Sequence, residues 1–222
     1  MTEENRLKDK DSLDRQLERK FGTEYMKKVR GVLVGIAGAG GLGSNCAANL
    51  VRSGFRRFVV ADFDTVEHSN LDRQFYFYDQ VGRKKADALK ENLKRIDPDV
   101  EIVIFGEKVT GENAGKVFSE CDVIVEAFDK AEEKRMLAEI FMKSGKFMVS
   151  ASGISGIGHS DGIRTRKIND NFVIVGDLMS DISESPAVSP RVNAAAAKQA
   201  DVVLEHVVGR SLRKDPSTGG GR

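Results

Sequence analysis

The stretch from residue 69 to residue 85 has the side-chain types and spacing to handle a polyphosphate. It reads Ser69-Asn70-Leu71-Asp72-Arg73-Gln74 and, after a short gap, Val81-Gly82-Arg83-Lys84-Lys85. A guanidinium such as that of Arg73 offers paired donors to phosphate oxygens, and a lysine ammonium adds a mobile point charge. Asn70 and Gln74 orient oxygens without adding charge. Hydride transfer has no obvious use for such a set, whereas a triphosphate does. A second candidate lies upstream, where Gly38-Ala39-Gly40-Gly41-Leu42-Gly43 follows an apolar run. A glycine-rich turn that opens a helix exposes unpaired N–H groups and the positive end of the helix dipole, which together hold a phosphate. Gly38, Gly40, Gly41 and Gly43 leave room for that approach. Asp62 stands nineteen positions after Gly43, at the end of the next apolar run. An acid at that distance reaches a ribose hydroxyl pair. NAD and ATP share adenosine, so the glycines and Asp62 do not choose between them.

The elements that must position these groups alternate. Val32–Ala37 reads as a buried strand, Ser44–Gly54 as a helix and Phe58–Ala61 as a second strand. A helix is expected from Arg83 to Ile96, stopped by Asp97-Pro98-Asp99, and a third strand over Val100–Phe105. A short helix around Asn113–Phe118 leads to a fourth strand, Val123–Val125, ending at Glu126-Ala127-Phe128-Asp129. A helix over Glu132–Lys143 and a fifth strand, Phe147–Val149, follow. This alternation predicts an α/β fold with a mostly parallel sheet and helices on both faces, a Rossmann-like three-layer arrangement. Right-handed crossovers gather the strand C-terminal ends, and with them the glycine turn, Asp62 and Asp129, along one edge where ligands bind. After a glycine-rich connection at residues 151–158, Ile163–Ile168 and Phe172–Val175 read as a hairpin or as two successive strands, expected to extend the sheet with antiparallel strands. Residues 177–190 form a polar loop, and Val192–Val208 an alanine-rich helix.

Composition sets outer limits. A chain of 222 residues with net charge +1 can bury one sizeable core. Its charge does not favour broad nucleic-acid or membrane binding. The two cysteines, Cys46 and Cys121, form no C-x-x-C pair and read as small buried hydrophobes, so no zinc is expected. No apolar stretch approaches membrane-spanning length, and residues 3–20 are dense in both charge signs, so a cytoplasmic location is expected. Residues 1–25 are expected as a helical segment with Leu7, Leu13, Leu17 and Phe21 apolar, and residues 211–222 as a disordered tail without apolar anchors.

Taken together, Gly38–Ser44, Ala61-Asp62-Phe63-Asp64, Ser69-Asn70-Leu71-x-Arg73-Gln74, Val81-Gly82-x-x-Lys85 and Asp129 resemble the ThiF/MoeB-type adenylating enzymes, prokaryotic relatives of ubiquitin-activating enzymes. The resemblance covers residues 30–208, within an expected adenylation domain at 26–210. Residues 121–129, 150–158 and 190–204 look most like the short branch that adenylates the sulfur carrier ThiS. The resemblance implies ATP bound with adenosine near Asp62 and phosphates on the glycine turn. Asn70, Arg73, Gln74 and Lys85 would hold the triphosphate, and Asp129 would bind Mg²⁺. It selects Lys85 over Lys84 and gives Asp64 a secondary role, as a turn residue or a second metal-associated acid. Asp129 has an alternative use as a helix cap, and Glu126 as part of the sheet edge only. The implied reaction is attack of the C-terminal glycine carboxylate of a ubiquitin-fold carrier, ThiS-like, on the α-phosphorus, in thiazole (thiamine) synthesis. A homodimer is implied as well, with Arg15 as the arginine reaching the partner's nucleotide. Two departures stand out: Lys130 occupies a position where relatives commonly carry Asn, and residues 177–190 contain no cysteine for covalent transfer. Activation of a peptide terminus or a modified tRNA base is the alternative within the family. An NAD-binding oxidoreductase would explain Gly38–Asp62 but leave Arg73, Lys85 and Asp129 idle.

Overall fold

A computed structural model describes residues 12–209. The expectations for residues 1–11, including Leu7, and for the tail from residue 211 lie outside the described residues. The chain opens with two helices, α1 (Leu13–Phe21) and α2 (Thr23–Gly31), divided by Gly22 at φ +89°. The sequence reading anticipated only the first. Tyr25, Met26 and Val29 of α2 are buried, and they join Leu17 of α1 in the main core, so helix α2 runs across residue 25, the expected end of the segment.

The strands are β1 (Leu33–Ala37), β2 (Arg57–Ala61), β3 (Glu101–Phe105), β4 (Val123–Glu126), β5 (Phe147–Ala151), β6 (Arg164–Asn169) and β7 (Phe172–Gly176). They form one seven-stranded sheet in the order β3-β2-β1-β4-β5-β7-β6. All neighbours run parallel except the β6–β7 pair, which is antiparallel. The hairpin thus extends the sheet as expected, with its second strand inside, parallel to β5, and its first at the edge.

Strand residues alternate between two cores, as the two-residue period of a strand requires. Val34, Ile36, Phe58, Val60, Val123, Val125 and Val149 face a large core, completed by α1, α2, α3 (Gly41–Arg52), α4 (Lys85–Ile96) and α7 (Ser189–Val208). Ala37, Val59, Ala61, Ile124 and Met148 face a smaller one, completed by α5 (Ala114–Val117) and α6 (Ala131–Phe141). Helix α3 begins three residues earlier than the sequence reading placed it. The glycine run is its first turn, with Gly40 as N-cap and the Ser44 N–H donating to the Gly40 carbonyl at 3.0 Å. No helix among the described residues is long and apolar enough to cross a membrane.

Candidate active site

The order β3-β2-β1-β4 reverses direction between β1 and β4, so the connections leaving these two strands diverge and open a crevice at their C-terminal ends. A cavity of about 550 Å³ lies there. Its walls are the glycine turn, residues 61–64 after β2, the Arg73-Gln74 loop, Lys85, residues 107–109 after β3 and residues 127–131 after β4. Segments from the β5–β7 side, among them Ser152–Ser155 and Ser180–Ile182, close the far end.

Nine of the eleven residues expected at the site line this cavity: Gly38, Gly40, Gly41, Asp62, Asp64, Arg73, Gln74, Lys85 and Asp129. Gly43 and Asn70 do not, and both serve the shape of the site instead. A Cβ on Gly43 would collide with the Gly38 carbonyl oxygen and sit 3.1 Å from Ile36 Cγ2, so Gly43 lets α3 pack onto the end of β1. Buried Asn70 spends its amide locally: Oδ1 accepts from the Glu67 N–H at 3.0 Å and Nδ2 donates to Ser69 Oγ at 3.4 Å. Its backbone carbonyl accepts from the N–H groups of Arg73 and Gln74, which turns those two side chains toward the cavity.

Three side chains stitch this loop to the first turn of α3. Ser44 Oγ donates to the Gly40 carbonyl at 2.6 Å and accepts from the Phe75 N–H at 3.0 Å. Asn45 Nδ2 contacts the carbonyls of Gly41 (2.7 Å) and Arg73 (2.9 Å). The buried Tyr76 hydroxyl donates to the Ala39 carbonyl at 2.7 Å and lies 3.2 Å from that of Lys85. Burial, with Asp62 and Asp64 nearby, pushes this phenol well above its usual range, so it stays protonated as a donor. The sequence reading placed Ser44 in the glycine motif without a role of its own, and it missed Asn45 and Tyr76, which have no motif.

Asp62 is half-buried. Its carboxylate accepts from the Ala39 N–H (2.7 Å) and the Asp64 N–H (2.8 Å), which ties the end of β2 to the glycine turn. Burial pushes its carboxyl up, against the opposing pull of those two N–H groups and of Lys85. Lys85 is buried to 8% exposure, with Nζ 2.9 Å from Asp64 Oδ2. Lys84, outside the cavity, donates to the Phe63 carbonyl at 2.7 Å. Arg73 holds Asp72 at 2.7 Å, an exposed pair of the kind worth at most about 1 kcal/mol and readily exchanged for a stronger anion. Gln74 Oε1 is buried without a hydrogen-bond partner among the described residues.

On the β4 side, Glu126 is fully buried and does more than end the strand. It accepts from the Phe128 N–H (2.7 Å) and from Ser150 Oγ (2.5 Å), and pairs with Lys134 at 3.1 Å. These bonds fix the turn that presents Asp129, whose exposed carboxylate engages no other side chain among the described residues. A divalent ion fits this position. Asp129 is a hard oxygen donor that no cation pairs with among the described residues, whereas both oxygens of Asp62 already take N–H groups. Among the described residues no cluster of three or more metal-ligating side chains exists.

A second unanticipated group braces the β5–β7 end. Arg191, at the start of α7, is 4% exposed. It pairs with Asp177 at 2.6 Å and donates to the carbonyls of Gly158 (2.6 Å) and His159 (3.1 Å). It thereby clamps the connections after β5 and after β7 that form the far wall. His68 does not line the cavity; it lies beside the Tyr78 ring, 5.5 Å between centroids. Arg15, on α1, also lies off the cavity.

A glycine turn opening a helix at the switch point of a parallel sheet defines a Rossmann-like α/β protein. The chain belongs to the ThiF family, whose model matches residues 13–172. The adenylyltransferase and sulfurtransferase uba4 of Aspergillus clavatus is 33% identical over 135 residues, which is 60% of this chain and 27% of that protein. SUMO-activating enzyme subunit 2 of Dictyostelium discoideum is 28% identical over 149 residues, 66% of this chain and 22% of that protein. The chain therefore spans about a quarter of the length of these two curated relatives. Among solved structures, E. coli tRNA N6-threonylcarbamoyladenosine dehydratase, TcdA, in complex with ATP superposes with a TM-score of 0.80 at 19% identity, covering 90% of this chain and 95% of that one. E. coli MccB superposes with a TM-score of 0.68 at 19% identity, covering 84% and 59%. At these identities the likeness is one of fold.

Proposed function

We propose that this protein is an ATP-dependent adenylyltransferase that activates a carboxylate as an acyl-adenylate and releases pyrophosphate. The substrate in this reading is the C-terminal glycine of a small ubiquitin-fold sulfur carrier of the ThiS type. The observation that carries the proposal is convergence: the glycine turn, Asp62, Arg73-Gln74, Lys85 and Asp129 come from five separate segments and line one cavity. Membership of the ThiF family, and likeness to relatives named as adenylyltransferases and as a SUMO-activating subunit, support it. The thiazole (thiamine) pathway and a homodimer with Arg15 reaching the partner's nucleotide belong to the same proposal and rest on the resemblance alone; a cytoplasmic location belongs to it as well and rests on composition.

The chemistry follows from charge. A terminal carboxylate ionises near pH 3.5, so it reaches the site as a nucleophile and needs no general base. What opposes the reaction is the approach of one anion to another. In the proposed complex the N–H groups of the first turn of α3 hold the phosphates, and Asp62 accepts from the ribose hydroxyls. Arg73 and Lys85 exchange Asp72 and Asp64 for phosphate oxygens, and Gln74 orients the chain. The carboxylate oxygen bonds to the α-phosphorus as the bond to the bridging oxygen breaks, and pyrophosphate leaves with the electron pair. Cations and dipoles fixed around that phosphorus lower the cost of the charge that builds there. Mg²⁺ at Asp129 would supply further neutralisation of the phosphates.

Exchange of labelled pyrophosphate into ATP tests the proposal. Exchange should depend on a Gly-Gly-ended carrier, and Arg73→Ala or Asp129→Ala should abolish it while circular dichroism and melting stay native. Exchange undiminished in either variant would refute the site. Tight NAD binding without exchange would return the protein to the oxidoreductases.

A further inference from the structure

The cavity lining carries six carboxylates, Asp62, Asp64, Glu107, Asp129, Glu133 and Asp181, and five cations, Arg73, Lys85, Lys108, Lys130 and Lys134. Four of the cations are matched. Arg73 holds Asp72 at 2.7 Å, Lys85 holds Asp64 at 2.9 Å, Lys108 holds Glu133 at 3.3 Å and Lys134 holds Glu126 at 3.1 Å. Lys130 alone among the five has no carboxylate partner among the described residues, and its side chain is exposed at the cavity wall. A phosphate that recruits any of the other four must displace a carboxylate, so part of the new attraction is cancelled by the one lost. Lys130 gives up only water.

Its position suits the role. Residues 127–131 all line the cavity, and this turn lies directly against the glycine turn: a Cβ on Gly38 would meet the Ala127 carbonyl oxygen at 2.8 Å and Phe128 Cδ1 at 3.3 Å. The Phe128 N–H bond to buried Glu126 fixes the turn just ahead of Lys130, and Lys130 is the N-cap residue of α6. The lining as a whole has one more negative than positive charge, so its affinity for a polyanion depends on which charges are free rather than on their number.

We propose that Lys130 is a phosphate-contacting residue that gives the site its affinity for ATP when no divalent ion is bound. This rests on the ATP reading above.

The test is ATP binding by calorimetry in EDTA and again in excess Mg²⁺, for the full chain and three variants. Lys130→Gln should weaken ATP binding in EDTA about tenfold, the range of one charge-assisted contact, and by a smaller factor in Mg²⁺. Lys130→Arg should keep wild-type affinity within about twofold, and adenosine, which has no phosphate, should bind Lys130→Gln as it binds wild type. Lys90→Gln, which removes the same charge from α4 away from the cavity, should change ATP affinity by less than about twofold. Wild-type affinity in Lys130→Gln, an equal loss in Lys90→Gln, or an equal loss for adenosine would each overturn the inference. Wild-type protein that binds ATP only with Mg²⁺ would overturn it too, while leaving the ATP reading intact. Protein that binds no ATP under either condition would bring down the ATP reading itself.

Discussion

The four glycines of the Gly38–Gly43 turn look alike in sequence but are predicted to fail in different ways. Consider Gly43→Ala and Gly40→Ala. Gly43 lies in the first turn of α3, where Ala in place of a helical Gly adds about 1 kcal/mol of stability through propensity alone, whereas Gly40 is the extended N-cap residue and gains nothing of the kind. At Gly43 that gain is overwhelmed. The new Cβ collides with the Gly38 carbonyl oxygen, and it lies 3.0 Å from the Gly38 carbonyl carbon and 3.1 Å from Ile36 Cγ2. Two of the three obstacles are backbone atoms of the neighbouring turn, which no rotamer change can move. Overpacking of this kind costs roughly 1–3 kcal/mol, and a backbone collision belongs at the upper end. The net loss is then about 2 kcal/mol, or about 4–8 °C in melting temperature for a chain of this size. At Gly40 the nearest atom to a new Cβ is Gln74 Nε2 at 3.9 Å, an ordinary contact, so the fold should keep its stability. Gly40 faces the cavity, however, and the added methyl stands where a phosphate would meet the N–H groups of the turn. Melting curves followed by ATP titration separate the two variants. Gly43→Ala should melt early, and Gly40→Ala should melt natively but lose ATP affinity tenfold or more. A native melting temperature for Gly43→Ala would refute the packing argument, and native ATP affinity in Gly40→Ala would refute the phosphate assignment.

Two further outcomes follow from buried groups. Arg191→Ala should cost about 3 kcal/mol by stranding Asp177 and three backbone carbonyls, read as a lower urea midpoint. Burial alone would push Asp177 up, but the N–H groups of Ser180 and Met179, the Ser180 hydroxyl and Arg191 outweigh it and hold the carboxyl below its ordinary range. A depressed acid stabilises above its unfolded value and stops doing so as pH falls through its folded one, so the gap between wild type and Arg191→Ala should narrow below about pH 4. A gap that stays constant into acid would show that the lost contribution is packing rather than charge. Cys46 and Cys121 are both buried, and burial pushes both thiols up, that of Cys121 to about 12. Native protein should therefore resist iodoacetamide at pH 8 and take up two equivalents once denatured; rapid labelling of either thiol in the native state would contradict this burial.

How much of this was legible in the chain depends on whether a signal is local. Strand-turn-helix at residues 33–52 is local, since it needs only an apolar run, a glycine run and a helical period within twenty residues. The α2 helix was missed because Tyr25, Met26 and Val29 lie among charges, and their apolar stripe gains its meaning only from the core they enter. Glu126 read as a strand-end acid, because nothing nearby in sequence announces Ser150 or Lys134 as its partners. Asp177 and Arg191 were invisible for the same reason. A buried ion pair across fourteen residues of polar loop has the same composition as a solvated one.

The strand order is what turns these separate signals into a site, and it could be argued from sequence only as a preference. Had β4 followed β3 outward in the order 1-2-3-4, with neighbours about 4.8 Å apart, Asp129 would leave the sheet about 14 Å from the glycine turn. That is too far to share a phosphate group with it. In the observed order β4 pairs directly with β1, Ala37 opposite Glu126, so the turn that carries Asp129 and Lys130 begins one strand spacing from Gly38. The crossover that returns the chain from one edge of the sheet to the far side of β1 therefore brings an acid and an ammonium from residues 129–130 against a glycine turn at residues 38–41. The short sequence distance between Gly43 and Asp62 reflects a neighbouring strand on one side of β1. The long one between Gly43 and Asp129 reflects a neighbouring strand on the other, and the crevice exists because the two connections leave in opposite directions.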